Sequence, residues 1–294
     1  MPAPILINGV VYPVALHGYE EWFGPIDYGG LLTYFSRGPG GHIRAWQSAD
    51  AGATWVQKDI ANEPVFYNTN SAAMHWTSGG VADIAYGADD GAFGSIKLIS
   101  FDLAAGTWGT PTAALSMVSF NLGWMWLAKL SSGAFRVYYY YNDANKDTWW
   151  AEYASGPGWG GPTKVSTNLG PTEAADGQQM LVGTSDRLHL WWRKTVAGVR
   201  TWYYRTLNAD GSMSSIQTVS PISGGTRTLV LNSGVIWNGK IAMPYVRPQG
   251  TFDEVPAILY GDPETAPSAW TVEDIDPACI EAKGVFAVLS GSTL

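Results

Sequence analysis

A pair of carboxylates is one set of side chains in this sequence that could catalyse a reaction. The chain has 294 residues, and only 14% of them are charged. Two carboxylates cleave a glycosidic bond with inversion at a separation of about 6.5–9.5 Å and with retention at about 5–5.5 Å. The acidic residues that could supply such a pair are Glu20, Glu21, Asp27, Asp176 and Glu281. Solvated loop carboxylates are the simpler interpretation of this set. Asp27 and Asp176 therefore stay weak candidates, and no catalytic residue is assigned.

Tryptophan gives the stronger signal, because the chain contains 15 of these residues. Indole rings stack on the apolar faces of sugars, and neighbouring polar groups fix the hydroxyls. Five residues on or beside first strands of the predicted sheets are candidates for ligand binding: Trp22, His75, Trp76, Trp124 and Trp126. The adjacent pairs Trp149–Trp150 and Trp191–Trp192 point to opposite faces of a strand, which favours a role in packing.

Charge and histidine content exclude several functions. The net charge is −8 and no basic stripe is visible, so nucleic-acid binding is not expected. The four histidines lack metal-ligand spacing, and we expect neither a metal nor another cofactor. The N-terminus has no basic segment followed by an apolar one, and no apolar run approaches about 18 residues. The sequence therefore predicts a soluble protein without a Sec signal or membrane insertion.

Residues 48–55 read S-x-D-x-G-x-T-W and predict a tight turn. Its fixed residues are Ser48, Asp50, Gly52, Thr54 and Trp55. The carboxylate accepts backbone N–H groups of its own loop, and the glycine supplies a backbone angle that other residues avoid. The last two fixed residues then open a strand, with the indole covering the turn.

Looser versions of this turn recur along the chain. The equivalent positions are Trp55, Trp108, Trp159, Met213 and Trp270, separated by 53, 51, 54 and 57 residues. A period near 50 residues is typical of a propeller or a repeat array. The 35 glycines and the 13% aromatic content agree with many strands and turns.

We therefore predict an all-β protein, a β-propeller of five blades with four antiparallel strands each. The blades span about residues 20–60, 70–115, 122–167, 176–220 and 227–275 of a single domain over residues 1–294. Residues 5–16 and 279–294 are expected to pair and to close the ring, since a sheet ring must hide its last edge. A sixth blade assembled from these ends is the alternative.

The 48–55 turn resembles the Asp-box of sialidase-like β-propellers, where it joins the third and fourth strands of a blade. Sialidases use three arginines, a Tyr–Glu nucleophile pair and an acidic aspartate, and their first arginine lies near the first blade. Residues 1–36 of this chain contain no arginine. No sialidase catalytic residue is therefore carried over.

The third blade is also similar to fucose-binding lectin propellers, which hold the sugar between blades with an Arg–Glu–Trp set. The matching residues are Arg136, Glu152 and Trp159. The other predicted blades do not repeat this set. The resemblance implies one sugar site at these three residues.

The sequence favours a non-enzymatic recognition propeller that binds a glycan or another cell-surface ligand, with a phage tail or virion adsorption component as one setting. One alternative is a glycoside hydrolase, of the sialidase-like or five-bladed type, that uses channel carboxylates. A purely structural propeller that binds other virion or assembly proteins is another. The expected location is a virion or the extracellular space by a non-Sec route, and otherwise the cytoplasm.

Overall fold

A computed structural model describes most of the chain. The described residues are 5–7, 10–12, 20–37, 42–64, 72–76, 79–89, 94–116, 122–141, 147–166, 175–196, 199–222, 234–249, 253–264, 267 and 269–275. Among them, no helix has the length and apolarity needed to cross a membrane. Strands dominate these residues, and short 3-10 turns occur at Thr184–Asp186 and Ser220–Ile222.

The strands form a leading hairpin and five larger sheets. The hairpin contains β1 (Ile5–Ile7) and β2 (Val10–Tyr12). Sheet I contains β3 (Glu20–Tyr28), β4 (Leu31–Arg37), β5 (His42–Ser48) and β6 (Val56–Pro64). Sheet II contains β7 (Ala72–His75), β8 (Val81–Asp89), β9 (Gly94–Asp102), β10 (Thr107–Trp108) and β11 (Leu115–Ser116).

The remaining three sheets follow in chain order. Sheet III contains β12 (Leu122–Lys129), β13 (Phe135–Tyr141), β14 (Thr148–Ala154), β15 (Gly158–Trp159) and β16 (Thr163–Lys164). Sheet IV contains β17 (Ala175–Val182), β18 (Leu188–Val196), β19 (Val199–Leu207) and β20 (Gln217–Thr218). Sheet V contains β21 (Val235–Trp237), β22 (Lys240–Gln249), β23 (Asp253–Asp262) and β24 (Ala269–Asp274).

Each sheet is an antiparallel meander in which consecutive strands are neighbours. In sheets II and III the fourth position is divided, because β10 and β11 both pair with β9, and β15 and β16 both pair with β14. The five-bladed, four-stranded prediction is therefore confirmed. The segment 279–294 lies outside the described residues, so closure of the ring by the two ends stays a prediction.

The second strand of each sheet is deeply buried along its described residues. In β4, five consecutive residues from Leu32 to Ser36 are buried, and in β8 the residues from Ala82 to Ala88 are buried. A strand covered on both faces reads as a near-continuous apolar run instead of an alternating one. The polar residues in these runs therefore need partners inside the protein.

The predicted turns all join the third strand of a sheet to the fourth. In four sheets the tryptophan after the turn packs on another ring, with centroid separations of 6.4 Å for Trp55–Tyr34, 4.8 Å for Trp108–Phe101, 5.3 Å for Trp159–Tyr153 and 4.8 Å for Trp270–Tyr204. In sheet IV, Met213 makes an isolated bridge to Leu207 instead. Each repeat of about 50 residues therefore corresponds to one sheet, and each sheet contains one such turn followed by one apolar side chain.

The 48–55 turn is held by the hydrogen bonds of its own side chains. The Ser48 hydroxyl donates to Asp50 Oδ1 at 2.7 Å and accepts the Gly52 N–H at 2.8 Å. The Thr54 N–H donates to Asp50 Oδ1 at 2.8 Å, and its hydroxyl donates to Oδ2 at 2.6 Å. Gly52 has a φ of 89°, which explains the glycine. These bonds, from the Thr54 hydroxyl first, lower the pKa of Asp50 from 3.8 to about 2.

We expect this turn to lose stability in acid. A carboxyl whose pKa is lowered by folding stabilises the protein above its unfolded value, and the contribution is lost as the pH falls through the folded value. The difference in Tm between the native protein and Asp50→Asn should be largest above pH 4 and should shrink as the pH falls from 3.8 to about 2. Thermal unfolding across this range measures it, and a difference independent of pH would contradict the assignment.

Contacts divide the chain into two units. Unit 1 contains Met1–Lys129, Gly133–Val137 and Ala151–Gly161, and its core includes Phe35, Ile84 and Phe101. Unit 2 contains Leu130–Ser132, Tyr138–Trp150 and Pro162–Leu294, and its core includes Trp191, Tyr204 and Met243. The predicted single domain over residues 1–294 stays a prediction.

Candidate functional site

Three polar residues form a row across the first three strands of sheet II. His75 on β7 is the Cα partner of Asp83 on β8, and Asp83 is the partner of Ser100 on β9. Residues directly opposite on antiparallel strands share one face of a sheet and lie about 4.5–5.5 Å apart at Cβ. β12 packs beside β7 and β8 and adds Lys129 to the same face. These four residues, all in unit 1, are the Asp83 cluster.

Asp83 is the centre of this cluster. Its side chain is only 7% exposed, and both oxygens are occupied. The Ser100 hydroxyl donates to Oδ1 at 2.6 Å, and the Lys129 ammonium donates to Oδ2 at 2.9 Å. A buried carboxylate needs such donors because leaving it unpaired is costly. Asp83 therefore anchors the two donors, one on each oxygen.

Lys129 combines a fixed position with access to solvent. Its side chain is 40% exposed. The ammonium lies 2.9 Å from Asp83 Oδ2 and 4.8 Å from the centroid of the Phe135 ring. A lysine ammonium has three donors, and among the described residues Asp83 is its hydrogen-bond acceptor. The group can therefore bind an anion from solvent without leaving its place.

His75 is the cluster member with a free imidazole. It is partly buried, and within the described part of the chain no hydrogen bond engages its ring. Burial lowers the pKa of His75 below its ordinary value of 6.5, the Asp83 charge opposes this, and the Lys129 charge adds to it. The neutral imidazole is therefore favoured at neutral pH. A neutral, partly exposed imidazole is suited to accept a proton from a bound molecule.

Trp76 follows His75 in the chain, so its ring lies on the opposite face of sheet II, with Ala72 and Met74. Its indole Nε1 donates to the Gly79 carbonyl at 2.8 Å, which fixes the plane of the ring. The ring is partly buried and packs against the core of unit 1. The ring therefore belongs to the packing of unit 1 and does not face the Asp83 cluster, and its predicted ligand role stays a prediction.

The structure places the other predicted ligand residues on first strands, as expected. Trp22 lies on β3 and Trp124 on β12, but the side chains of both are outside the described part. Trp126 on β12 is partly buried. Of the weak catalytic candidates, Asp176 lies on β17 with its side chain also outside the described part. Asp27 is exposed, and its Oδ1 accepts the Gly30 N–H at 3.0 Å, so it caps the turn between β3 and β4.

The lectin-like set is brought together only in part. Arg136 is 2% exposed, and its Nε donates to Glu152 Oε2 at 2.7 Å. Trp159 is the partner of Tyr153, the residue next to Glu152, so its ring lies on the opposite face of the strand. Its Nε1 donates to the Ala113 carbonyl at 2.9 Å. The Arg136–Glu152 pair and the Trp159 ring therefore lie on opposite faces of the sheet. A sugar site at these three residues stays a prediction.

A second polar cluster, the Glu264 cluster, lies inside unit 2. Glu264 Oε1 is 2.8 Å from His189 Nε2, and its Oε2 accepts the Thr184 hydroxyl at 2.8 Å. His189 Nδ1 is 2.7 Å from the Tyr204 hydroxyl, and Arg187 lies 3.7 Å from Oε2. His189 is fully buried and Glu264 is 3% exposed. The imidazole and the carboxylate are therefore shielded from solvent, which favours a structural role for them.

A third cluster surrounds Asp147, which is also fully buried. Lys164 Nζ lies 2.7 Å from Oδ2, and Lys194 Nζ lies 3.3 Å from Oδ1. The Ser166 hydroxyl donates to Oδ1 at 2.8 Å. Lys194 is itself only 1% exposed. Two ammonium groups on one buried carboxylate make this cluster an ion-pair network, in which Lys164 is 36% exposed and the charges of Asp147 and Lys194 are held away from solvent.

Sequence reasoning found His75 but missed Asp83, Ser100 and Lys129. Strand register brings Ser100 beside Asp83, and Lys129 reaches Asp83 from β12 of another sheet. A usable signal was present: Asp83 is an acidic residue within the otherwise uncharged run from Val81 to Ala88. A carboxylate in such a strand requires a partner, and that partner marks the site.

Solved structures share this fold. The chain is similar to a PL25 ulvan lyase, with 12% identity over 86% of this chain and 70% of that one and a TM-score of 0.57. It is also similar to the Fusarium graminearum GH93 α-L-arabinofuranosidase in complex with arabinobiose, with 14% identity over 86% and 80% of the chains and a TM-score of 0.51. The α-L-arabinanase of Penicillium chrysogenum has 13% identity over 83% and 90% and a TM-score of 0.51.

No protein-family model matches the chain, and no curated protein sequence does. The expectation of a non-enzymatic recognition module is wrong: these similar structures are a lyase, an arabinofuranosidase and an arabinanase, which favour the enzymatic alternative. The error arose because acidic residues were counted as the only route to catalysis. The chain has the β-propeller fold found in carbohydrate-active proteins.

Proposed function

We propose that this protein is a carbohydrate-active enzyme that cleaves glycosidic bonds in a polysaccharide at the Asp83 cluster. The observation that carries the proposal is the His75 imidazole, partly exposed and without a hydrogen bond among the described residues. It lies beside a buried carboxylate and a partly exposed ammonium. Among the described clusters, this one combines proton-transfer groups with access from solvent.

The geometry supports acid–base chemistry at His75. A histidine placed to take a proton and return it contributes about 10²–10⁴-fold to a reaction rate. Lys129 supplies a fixed positive charge for any negative charge on the bound sugar. Asp83 and Ser100 position that charge. The similar structures, which include a complex with arabinobiose, add support for a glycan as the bound molecule.

In this proposal the 48–55 turn is structural. Its Asp50 carboxylate is used by the hydroxyls and N–H groups of its own turn. We propose that this turn corresponds to the sialidase Asp-box only in its structural role, as the link between the third and fourth strands of sheet I. It assigns no sialidase activity, because no arginine set accompanies it.

A polysaccharide panel tests the proposal. The purified protein is incubated with neutral and acidic polysaccharides, and newly formed reducing ends are measured against time. We expect release from at least one polymer by the native protein and a strong reduction in His75→Gln. If His75→Gln forms reducing ends as fast as the native protein, the Asp83 cluster is not the catalytic site. A panel without release from any polymer would contradict the proposed function.

A further inference from the structure

We infer that Asn238 is a site of spontaneous covalent modification, in which its side chain cyclises onto the backbone nitrogen of Gly239 and then opens to isoaspartate. The change takes place in the turn between β21 and β22 of sheet V. It is independent of the reaction at the Asp83 cluster. It affects the fold because this turn supports the segment that carries Glu264.

The turn between β21 and β22 has only two residues. Trp237 and Lys240 are partners across the hairpin, so Asn238 and Gly239 form the whole loop. Their φ angles are 48° and 71°, and the tight turn that suits such a hairpin requires both angles to be positive. Asparagine tolerates this backbone better than most residues, and glycine adopts it without strain. The turn therefore selects a pair that cyclises readily, because glycine has no side chain to block the attack.

Both reacting groups of this pair are accessible. Asn238 and Gly239 are exposed, and among the described residues neither the Asn238 amide nor the Gly239 N–H makes a hydrogen bond. Apart from the chain neighbours, no described atom lies within 4 Å of the place where a Cβ on Gly239 would stand. The Gly239 nitrogen can therefore approach the side-chain carbonyl of Asn238 without losing a hydrogen bond in the described structure.

The proposed step is balanced in atoms and electrons. The Gly239 nitrogen gives up its proton and forms a bond to Cγ of Asn238. The bond from Cγ to Nδ2 breaks, and the side-chain nitrogen leaves as ammonia with that proton. Water from the solvent then opens the five-membered imide at one of its two carbonyls. Opening at the backbone carbonyl gives isoaspartate, and opening at the side-chain carbonyl gives aspartate.

Isoaspartate changes both the length and the charge of the turn. It adds one methylene group to the backbone of a loop that has only two residues. The Gly239 carbonyl accepts the Glu264 N–H at 2.7 Å, so a displaced carbonyl loosens the segment that holds Glu264 in its cluster. The new carboxylate also adds a negative charge two residues before Lys240, which lies 3.0 Å from Asp262. The modification is therefore expected to lower the stability of unit 2.

Peptide mapping tests the inference. The purified protein is incubated in mildly alkaline buffer, and its peptides are assayed for isoaspartate with an isoaspartyl methyltransferase and by mass spectrometry. We expect isoaspartate to accumulate in the peptide that contains Asn238. The internal comparison is Asn208, because its Nδ2 donates to Ser212 at 3.0 Å and alanine follows it. An unmodified Asn238, under conditions that convert a short Asn–Gly peptide, would overturn the inference.

Asn238→Gly is the matched control variant, because glycine fits a φ of 48° and has no amide to lose. We expect incubation to lower the Tm of the native protein and to lower that of the variant less. Asn238→Asp adds the same charge without the extra methylene, so its Tm before incubation should exceed that of the isoaspartate form. Equal losses in the native protein and Asn238→Gly would assign the loss to another position, such as Asn8, and would overturn the effect on unit 2.

Discussion

Replacing His75 by glutamine is expected to lower kcat for polysaccharide cleavage by about 10²–10⁴-fold. Glutamine is similar in size but cannot take up a proton at neutral pH. His75 makes no hydrogen bond among the described residues, so the change leaves no partner unpaired there. The fold should therefore survive. Initial rates with the native protein and the variant, together with Tm values for both, give the measurement.

His42→Gln is the matched control. His42 is the first residue of β5 and, like His75, is a partly buried histidine in a strand of unit 1. It is not a member of the Asp83 cluster. We expect its replacement to leave kcat within a few-fold of the native value. A similar loss in both variants would show that the effect is general and would contradict the assignment of His75.

The pH dependence of the native protein offers an independent check. The base form of His75 is neutral, and burial lowers its pKa below 6.5 despite the neighbouring Asp83 charge. As the pH falls through this lowered pKa, the imidazole is protonated and kcat/KM must fall. The acidic limb should therefore lie below pH 6.5 in the native protein. Lys129→Met removes a positive charge near the ring, so the limb should move to higher pH.

The fold was predictable from the sequence because its signals are local. A turn closed by Ser48, Asp50 and Thr54 uses only neighbouring residues, and its approximate repeats mark one turn in each sheet. The two-sided apolar runs, such as β4, identify the second strands in the same way. The ends of the chain were less predictable, because pairing between distant segments leaves no mark in either segment alone.

The site was only partly predictable, because its parts are not local. His75 drew attention beside Trp76 on a first strand, but its meaning depends on Asp83 and Lys129. A shift of one residue in the pairing of β7 with β8 would turn His75 to the other face. Sequence alone does not fix that register. The small number of acidic residues also led to the wrong prediction that the protein is not an enzyme. A neutral histidine beside an ammonium group can transfer protons without a second carboxylate.

Replacing Glu264 by alanine is expected to lower the free energy of unfolding by about 1–3 kcal/mol, the usual cost of leaving buried donors without their acceptor. The carboxylate is a shared acceptor for His189 and for the N–H and hydroxyl of Thr184. Alanine leaves these donors buried without an acceptor. It also releases the Thr184–Asp186 turn, in which Ser185 has a φ of 54° and Asp186 a φ of 58°. Such backbone persists only when its surroundings hold it.

The electrostatics of the Glu264 cluster predict how this stabilisation depends on pH. Burial opposes ionisation of Glu264, but the hydrogen bonds from His189 and Thr184 outweigh it and lower its pKa below the ordinary value of 4.5. Burial also lowers the pKa of His189 below 6.5. Both contributions are therefore complete above pH 6.5. They are lost as the pH falls, first as His189 is protonated and then as Glu264 is.

Urea unfolding at pH 7 and pH 5 measures these effects. The matched control is Glu273→Ala, because Glu273 is an exposed residue of β24 and a surface change of this kind costs less than about 0.5 kcal/mol. Glu264→Gln keeps the shape and one acceptor oxygen, so its loss should be intermediate. The native protein should lose stability from pH 7 to pH 5, and Glu264→Ala should lose more, because Glu264 raises the pKa of the buried His189 and its removal makes protonation of that histidine costlier in the folded state. Equal losses in Glu264→Ala and Glu273→Ala would show that the buried carboxylate does not hold this part of unit 2 together.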